Sequence, residues 1–320
     1  MAVDPVVSFV TNVLCPLQPG GIQDATRCRL YWRQAASAVP DPDAPFADRT
    51  FAIQWCDRCG LAFTDPVPTE DTISALYESR ESHDFQADSS GPADRLKALM
   101  ARRDVRRWFA SSGVIRPRSI LDFGCGNGAF SRAVLDVVDD ARVVASDYHA
   151  EAPHELAGSL SERLSYRSYD ELDRHGERYE IIICRHVLEH VHEPVGMLRR
   201  LSALLAPDGS ILLEVPWYES PLRRLFGRFW HGYYVPFHTL HYSRRGIENV
   251  VREAGLDVIS AQGAEMPTMG RNLQNVLRRP YGPALFVLGV ALHPIQLAIG
   301  RVSGRSTAQQ LLIRHRVGAA

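Results

Sequence analysis

Leu121-Asp-Phe-Gly-Cys-Gly-Asn-Gly128 is the stretch that decides the fold of this chain. The short strand-like segment Ser119-Ile-Leu-Asp122 leads into the turn, and an amphipathic stretch that begins at Ala129 follows it. Gly124, Gly126 and Gly128 permit a tight turn between a strand and a helix, and a backbone without side chains can approach a ligand closely. The stretch therefore predicts a strand, a ligand-binding turn and a helix in immediate succession.

The alternation of apolar runs with helical periodicity continues along the chain. Strands are predicted at 119–122, 142–146, 164–169, 179–184, 210–215, 256–261 and 309–316. Helices are predicted at 129–138, at 194–205 before a turn at 207–209, and from the capping residue Ser243 to Gly255. Strands that alternate with helices indicate a parallel sheet covered on both faces. We therefore expect an α/β protein with a Rossmann-like, doubly wound, mostly parallel seven-stranded sheet.

The bulk composition is typical of a soluble globular protein without an electrostatic footprint for nucleic acid. Of the 320 residues, 45% are hydrophobic and 23% are charged, and 36 basic against 37 acidic residues give a net charge of −1. A nucleic-acid-binding domain usually carries a basic patch or stripe. The N-terminus lacks the basic start of a signal peptide and carries Asp4, which favours a cytoplasmic protein.

Two acidic residues near the glycine-rich turn indicate which kind of ligand it binds. Because Gly124-x-Gly126-x-x-Ala129 also fits the dinucleotide fingerprint, the glycines alone do not exclude a NAD site. Asp122 would repel a pyrophosphate at this turn, whereas it suits a ligand that carries an ammonium group. Asp147, which closes the second predicted strand, is placed to accept hydrogen bonds from a ribose diol.

Several short motifs occur in the order and spacing seen in class I S-adenosylmethionine (SAM) methyltransferases, which the chain resembles over about residues 50–262. They are Asp122-x-Gly-Cys-Gly-x-Gly128, Asp147, His186-Val-Leu-Glu-His190, Leu205-Ala-Pro-Asp-Gly209, Glu214-Val-Pro216, Trp230, Pro236-Phe-His238, Tyr242-Ser243 and Ala254-Gly-Leu256. The resemblance is to the subfamily with an N-terminal zinc-binding module. Those proteins are often associated with methylation of sugars, polysaccharides or secondary metabolites.

This resemblance implies a SAM site at the turn and the neighbouring strand ends. The loop 124–128 with Asp122 would hold the methionine end, Asp147 the ribose hydroxyls and Tyr148 the adenine face, with residues 168–170 near the adenine edge. Arg185, directly after the fourth predicted strand, is assigned to the same edge. The predicted cofactor residues are Asp122, Gly124, Cys125, Gly126, Asn127, Gly128, Asp147, Tyr148, Ser168, Tyr169, Asp170 and Arg185.

Three histidines and a glutamate are the candidate catalytic residues. His186, Glu189 and His190 follow the fourth predicted strand, so they fall at the edge where open α/β sheets bind ligands. Methyl transfer to a hydroxyl requires alignment of the acceptor and removal of its proton, and His suits the second role near neutral pH. His238 is the preferred base and lies in a predicted lid at 217–242. His186 is expected to line the pocket, while Glu189 and His190 are interpreted either as catalytic or as a hydrogen-bonded corner.

The cysteines predict a small N-terminal zinc-ribbon-like β module at 1–70, followed by a helical linker at 71–117. Cys56-x-x-Cys59-Gly60 is a knuckle that would supply two thiolates to tetrahedral zinc. The family usually has a second Cys-x-x-Cys upstream, but that position reads Cys15-Pro-Leu-Gln18, so one ligand is missing. Cys28 is the candidate replacement, and a module without metal is the alternative. The predicted metal ligands are Cys15, Cys28, Cys56 and Cys59.

The predicted SAM-binding domain at 118–320 contains an apolar helical insertion at 265–305. Residues 281–300 contain no Asp, Glu, Lys or Arg, and arginines flank both ends. The run approaches the ~20 residues of a membrane span, but His293, Pro294 and Gln296 interrupt it. Two short helices on the inner face of the membrane or on a partner are therefore expected. A helix that covers the sheet or forms a dimer contact is the alternative.

The function expected from these features is SAM-dependent methyl transfer to a sugar, glycolipid or related small-molecule or lipid-linked acceptor, with O-methylation favoured. The first alternative is methylation of an aromatic, quinone or polyketide small molecule. A nicotinamide-dependent oxidoreductase and a non-catalytic SAM-fold binding module are further alternatives. Asp122 and the segment 186–190 argue against the oxidoreductase, and the intact glycine loop with both acids argues against the binding module.

Overall fold

The structure, a computed structural model, describes residues 9–10, 30–35, 51–69, 72, 92–114 and 116–316. The strands are β1 (Phe9–Val10), β2 (Leu30–Ala35), β3 (Phe51–Cys56), β4 (Leu61–Asp65), β5 (Val67–Pro68), β6 (Ser119–Phe123), β7 (Arg142–Asp147), β8 (Leu164–Ser168), β9 (Tyr179–Arg185), β10 (Leu205–Pro216), β11 (Leu240–Tyr242), β12 (Leu256–Ala264) and β13 (Ala308–His315). The α-helices are α1 (Pro92–Ser112), α2 (Ala129–Val137), α3 (His154–Ala157), α4 (Tyr169–His175), α5 (Pro194–Leu204), α6 (Pro221–Phe226), α7 (Arg244–Glu253), α8 (Met269–Leu277) and α9 (Pro283–Ser303).

Seven of the described strands form one sheet in the order β12-β13-β10-β9-β6-β7-β8. Strand β13 runs antiparallel to both of its neighbours, and the remaining pairs are parallel. The predicted seven-stranded, mostly parallel sheet is confirmed. Because the parallel strands point the same way, the residues that follow β6, β7, β8 and β9 meet at one edge of the sheet.

Both faces of the sheet are buried. In β9, Ile181 and Ile183 pack into a cluster that includes Trp108 of α1 and Phe130 of α2. Ile182 alternates with them and packs on the other face, in the cluster that contains residues of α5 and α7. A strand buried on both faces reads as a continuous apolar run, and the two helical layers confirm the doubly wound architecture.

The turn predicted at 207–209 is instead an irregularity inside β10. The pairing of β10 with β9 shifts register between Leu205 and Ser210. A Cβ at Gly209 would lie 2.9 Å from the carbonyl oxygen of Tyr179. The glycine therefore allows the two backbones to approach closely, and the strand continues through the segment that the sequence marks as a turn.

A second sheet joins the N-terminal part of the chain to the predicted lid. Its described strands follow the order β11-β4-β3-β2, and each pair is antiparallel. Strand β1 pairs with β5 in a separate two-stranded sheet. Apolar residues of β3 and the lid, among them Phe51, Trp230 and Phe237, share a buried cluster. Strands β2 to β4 belong to the predicted N-terminal β module, whereas Cys15 and Cys28 lie outside the described residues.

The apolar insertion differs from the prediction. Instead of two short helices, α9 is one helix of 21 residues that continues through Pro294. Gln296, a polar residue expected to interrupt it, is buried at 1% exposure and donates to Glu265 Oε2 at 2.9 Å. The side-chain oxygen Oε1 of Gln296 accepts from the backbone N–H of Thr268 at 3.2 Å. Because the preceding loop satisfies this amide, the polar residue stabilises the helix on the protein instead of ending it.

Among the described residues, α9 also has the length and composition of a membrane-spanning helix, judged by those two properties alone. Its most apolar window has a mean hydropathy of 1.7, and 17% of that window is buried inside the protein.

Candidate active site

The glycine-rich turn between β6 and α2 has one closed side and one open side. Gly124 has φ 79°, and a Cβ on it would lie 2.1 Å from Cγ2 of Val187. Gly126 has φ 50°, and an added Cβ would meet no atom of the described residues within 4 Å. The first glycine therefore allows close packing against the loop after β9, while the second leaves a space that a ligand can approach.

Asp147 holds this turn in place from the end of β7. Its Oδ2 accepts a hydrogen bond from the Gly126 N–H at 2.8 Å, and its Oδ1 accepts one from the Tyr148 N–H at 2.8 Å. An ionised carboxylate has about four acceptor positions, so both oxygens retain capacity for ribose hydroxyls. Tyr148 is 40% exposed, so a ligand can reach its ring.

Asp122 lies beneath the turn, at 2% exposure. Its Oδ2 accepts a hydrogen bond from Ser131 Oγ of α2 at 2.5 Å. Burial raises the pKa of Asp122 to about 6, against the lowering effect of the Ser131 hydrogen bond. The observed role of this carboxyl is to join β6 to α2, and a direct contact with the methionine end of SAM stays a prediction.

The remaining predicted cofactor residues border the same edge. Tyr169 stacks on Phe123, with ring centroids 4.2 Å apart and an interplanar angle of 5°. Ser168 caps α4 in a capping box with Glu171, while Asp170 is exposed. Asn127 Oδ1 accepts from the Ala129 N–H, and the thiol of Cys125 is buried. The topology thus brings the predicted loop and strand ends together, and their contact with a cofactor stays a prediction.

Arg185 is held by a carboxylate that the sequence prediction missed. Its Nη2 donates to Glu214 Oε1 at 3.0 Å, and its guanidinium lies 4.0 Å from the ring centroid of Phe130. Glu214 is 2% exposed and pairs with Arg185 in the register of β10 and β9. A lone acid in the apolar run Ile-Leu-Leu-Glu-Val is the signal that could have revealed it, because a buried acid needs a partner.

His186 bridges two buried carboxylates. It has φ 53°, in the left-handed region, and its Nδ1 and Nε2 contact Glu189 Oε1 and Glu214 Oε1 at 3.1 and 2.9 Å. Burial alone would lower the pKa of His186, but the two hydrogen-bonded carboxylates outweigh burial and raise it to about 9. Burial raises the pKa of Glu214, yet Arg185 and His186 hold it well below its usual range. His186 is therefore protonated at neutral pH, which is the wrong state for a general base.

We predict that His186 makes the stability of the protein depend on alkaline pH. A histidine with a folded pKa near 9 and an unfolded pKa near ~6.5 stabilises the fold fully below ~6.5, and this contribution is lost as the pH rises through about 9. Asn tolerates positive φ, so His186→Asn removes the titration without a new backbone strain. Between about pH 7 and 10, the wild type should lose about 1–3 kcal/mol more free energy of unfolding than the variant. If urea denaturation shows that the wild type and the variant lose the same free energy of unfolding between these pH values, the assignment is contradicted.

A cavity of about 280 Å³ opens beside His186. Because Val187 packs against Gly124, the cavity lies next to the glycine-rich turn. The predicted lid, the loop before α8 and the start of β13 close it. It is lined by His186, His190, Pro216, Trp230, His231, Gly232, Tyr234, His238, Met266, Thr268, Arg271 and Thr307.

The structure brings His190 and His238 together across 48 positions of sequence. Their ring centroids lie 4.7 Å apart, and His238 Nε2 lies 3.9 Å from Glu189 Oε1. Glu189 Oε2 is buried and has no hydrogen-bond partner among the described residues. The ligand atoms of these three residues all lie within 4.8 Å of one another, a spacing that a metal ion could bridge. The four predicted catalytic residues thus form one cluster.

The tautomer of His238 is fixed by its surroundings. Its Nδ1 contacts the carbonyl oxygen of Gly232 at 3.0 Å, so Nδ1 carries the proton and Nε2 carries the lone pair. Burial, followed by the neighbouring His190 and His241, holds the pKa of His238 well below its usual range. His238 is therefore neutral at physiological pH, and its Nε2 can accept a proton.

Several cavity residues come from segments to which the sequence analysis assigned no site role. Met266 and Thr268 precede α8, Arg271 lies on it and Thr307 precedes β13. Asn272 Oδ1 accepts from the His231 N–H at 2.7 Å, and Asn275 Nδ2 donates to the Phe229 carbonyl at 3.1 Å. Two buried amides of α8 thereby fix the lid. A pair of Asn residues at i and i+3 in an apolar helix is the signal that was available.

The family of the chain is shown by a match to a family profile. A family profile described as "Methyltransferase domain" matches residues 93–261, more than half of the chain. The chain therefore belongs to the methyltransferase family.

Among similar proteins, a Ubiquinone biosynthesis O-methyltransferase of Coxiella burnetii is 26% identical over 152 residues, which are 46% of this chain and 64% of the relative. One of the same name from Xanthomonas campestris pv. campestris is 29% identical over 162 residues, 46% of this chain and 65% of the relative. The chain thus spans less than two thirds of the length of these curated relatives.

Solved structures with a similar arrangement are more distant. An O-methyltransferase family protein from Burkholderia thailandensis is 17% identical, with a TM-score of 0.46 and coverage of 75% of this chain and 63% of that one. The magnesium protoporphyrin IX methyltransferase of Synechocystis PCC 6803, solved with bound S-adenosylhomocysteine (SAH), is 15% identical. Its TM-score is 0.47, and the match covers 77% of this chain and 97% of that one.

Proposed function

We propose that this chain is a SAM-dependent O-methyltransferase whose acceptor is a hydroxyl group on an aromatic or quinol ring. The observation that carries the proposal is the cavity beside the glycine-rich turn, which combines aromatic walls with a neutral histidine. The names of the two curated relatives support a quinone-type acceptor over the sugar acceptor expected from the sequence.

The residues of the turn fit SAM. Gly126 leaves open space for the methionine end, Asp147 retains acceptor capacity for a ribose and Tyr148 offers an exposed ring. When bound, SAM supplies a methyl group activated by a sulfonium centre.

On the acceptor side, His238 would remove the hydroxyl proton as the oxygen attacks. The new C–O bond takes its electron pair from the oxygen, the C–S bond breaks toward sulfur, and the proton moves to His238 Nε2. Glu189 Oε1, 3.9 Å from that nitrogen, stabilises the resulting imidazolium. A general base of this kind contributes about 10²–10⁴-fold in rate. His190 packs edge-on against His238 and restricts its orientation.

The cavity walls suit a flat acceptor ring. Trp230 and Tyr234 line it together with Arg271. Aromatic side chains bind planar rings by offset-stacked or edge-to-face contacts, and a guanidinium attracts the developing charge of a phenolate.

The acceptor class is tested by incubating the full-length protein with SAM and a panel of hydroquinones, catechols and phenols beside simple sugars. Mass spectrometry should detect one added methyl group on an oxygen of a ring acceptor, with one equivalent of S-adenosylhomocysteine (SAH). Methylation of the sugars alone would contradict the acceptor class. If no SAH forms with either the ring compounds or the sugars, that result would count against the ring-hydroxyl proposal.

We further propose that the N-terminal part of the chain holds a structural zinc ion. Cys56 and Cys59 are buried at 0% and 4% exposure, and the Cys59 N–H donates to Cys56 Sγ at 3.5 Å. Gly60, at φ 75°, donates its N–H to the Cys56 carbonyl at 2.9 Å. This tight turn, in which the Cys59 N–H donates to the Cys56 sulfur, supports two of the four predicted ligands. Cys15 and Cys28 lie outside the described residues.

We expect about one zinc ion per chain in protein purified without chelator. Cys56→Ser should release the metal and lower the melting temperature, because binding energy at a structural zinc site is folding energy. The matched control is Cys184→Ser, a buried cysteine of β9 outside the knuckle, which should retain zinc. Protein without zinc by elemental analysis would end the proposal, while the assignment of the methyl-transfer site would stand.

A further inference from the structure

The outward side of α9 is an exposed apolar surface, here called the α9 face. Its large members are Val287, Leu288, Val290, Ile295 and Val302, with exposures of 64%, 42%, 42%, 53% and 91%. Val287, Ala291, Ile295, Ala298 and Val302 recur every three or four residues, so they form one stripe along the helix. A contiguous apolar surface of this kind marks an interaction site in a soluble protein.

The orientation of α9 is fixed, so the α9 face cannot rotate inward. A Cβ on Gly289 would lie 3.0 Å from the backbone nitrogen of Gly270, which brings α9 into close contact with α8. Leu292 packs against the buried lid cluster, and Gln296 bonds to the loop before α8. One side of the helix therefore packs against the protein. This packing excludes a transmembrane orientation in which lipid surrounds the helix on all sides.

The exposed charged side chains at the two ends of the α9 face are basic. After Glu265, the chain contains no Asp or Glu up to residue 320. Exposed Arg278 and Arg279 lie beyond one end of the helix, and exposed Arg301 lies at the other. The adjoining lid helix α6 adds exposed Leu225, at 62%, next to Arg224. Basic residues that border an apolar helical face are complementary to anionic lipid headgroups.

We propose that the α9 face binds the surface of an anionic phospholipid bilayer, with the helix lying parallel to the membrane plane. A second copy of the chain is a poorer occupant. Antiparallel pairing of two α9 helices would place Arg301 of one copy near Arg278 and Arg279 of the other, and these like charges would repel one another. At about 1.5 Å per residue, 21 residues give a contact about 30 Å long.

The α9 face is coupled to the acceptor cavity through α8. Thr268 and Arg271 line the cavity, and the Thr268 N–H is bonded to Gln296 of α9. Docking on a bilayer would therefore hold the cavity near the lipid interface. Docking of the α9 face would select acceptors that carry both a ring hydroxyl and an apolar tail, an inference that rests on the proposed function.

The test is flotation of the full-length protein with vesicles of phosphatidylcholine alone and of phosphatidylcholine with phosphatidylglycerol. The wild type should float with the anionic vesicles at low salt and be released by high salt. Val287→Ser/Leu288→Ser/Ile295→Ser should weaken binding by at least about 100-fold, because each exposed side chain contributes roughly tenfold when it enters an apolar phase. Arg279→Gln/Arg301→Gln should lower binding to anionic vesicles only. The matched control, Leu160→Ser/Ile259→Ser, changes two exposed apolar residues elsewhere and should bind like the wild type.

A wild type that remains in the soluble fraction with anionic vesicles would overturn the proposal. Light scattering that shows a dimer in the wild type and a monomer in the triple variant, without vesicle binding, would assign the α9 face to a second copy and overturn it as well. Methylation of a water-soluble phenol separates this proposal from the proposed function. The triple variant should retain that activity, so loss of vesicle binding and loss of chemistry are measured independently.

Discussion

Replacing Asp147 with alanine should weaken SAM binding by on the order of 100-fold or more. Two ribose hydroxyls would lose a charged acceptor, and hydrogen bonds to charged groups contribute about 1.5–3 kcal/mol each. The substitution also releases the Gly126 N–H, which the Asp147 carboxylate holds at 2.8 Å. The glycine-rich turn then loses part of its preorganisation, so the two effects act in the same direction. Isothermal titration calorimetry with SAM and with SAH measures the change.

Asp140→Ala is the matched control for this experiment. Asp140 is an exposed aspartate that precedes β7, whereas Asp147 ends the same strand at the opposite edge of the sheet. The control should bind SAM like the wild type. Equal SAM affinity in Asp147→Ala and the wild type would exclude Asp147 from the SAM site. It would also contradict the assignment of the glycine-rich turn to SAM binding.

Replacing His238 with glutamine should lower kcat by about 10²–10⁴-fold and leave the Kd for SAM unchanged. His238 is neutral because burial, together with neighbouring histidines, lowers its pKa. The hydrogen bond between Nδ1 and the Gly232 carbonyl leaves the lone pair on Nε2. Glutamine retains a donor for that carbonyl but cannot accept the hydroxyl proton. His175→Gln, an exposed histidine at the end of α4, is the matched control and should retain full activity.

The pH dependence separates a base from a structural histidine. Above the pKa of a phenolic acceptor, the acceptor is already ionised and needs no base. The deficit of His238→Gln should therefore shrink as the pH rises past that value. A deficit that is constant over this range would indicate that His238 only shapes the cavity, and an unchanged kcat at neutral pH would remove it from the reaction.

The central sheet could be predicted because each of its strands has a local signal. Residues 181–184 form a continuous apolar run, and burial on both faces is what a central parallel strand requires. The cap at Ser243 predicted the start of α7, where Ser243 Oγ accepts from the Gly246 N–H at 3.0 Å. The predicted cofactor residues gather at one edge for the same reason, because parallel strands end together.

The contacts between distant segments could not be predicted in the same way. Nothing in the spacing of His190 and His238 specifies that their rings meet, because β11 and the lid determine that approach. His186 lines the cavity, but its spacing in the sequence does not show that Glu214 on the neighbouring strand makes it an ionised bridge. Gln296 looked like a helix breaker, since the sequence does not show that the loop before α8 satisfies its amide.

The central claim is that the glycine-rich turn of this methyltransferase binds SAM, and a ligand-dependent melting experiment on the full-length protein tests it most directly. Melting is followed with SAM, SAH and NAD at increasing concentrations. A ligand at about 100 times its Kd stabilises the folded state by about 2.7 kcal/mol. SAM and SAH should raise the melting temperature in a saturable way, and NAD should leave it unchanged. A saturable shift with NAD, or no shift with SAM and SAH, would contradict the account.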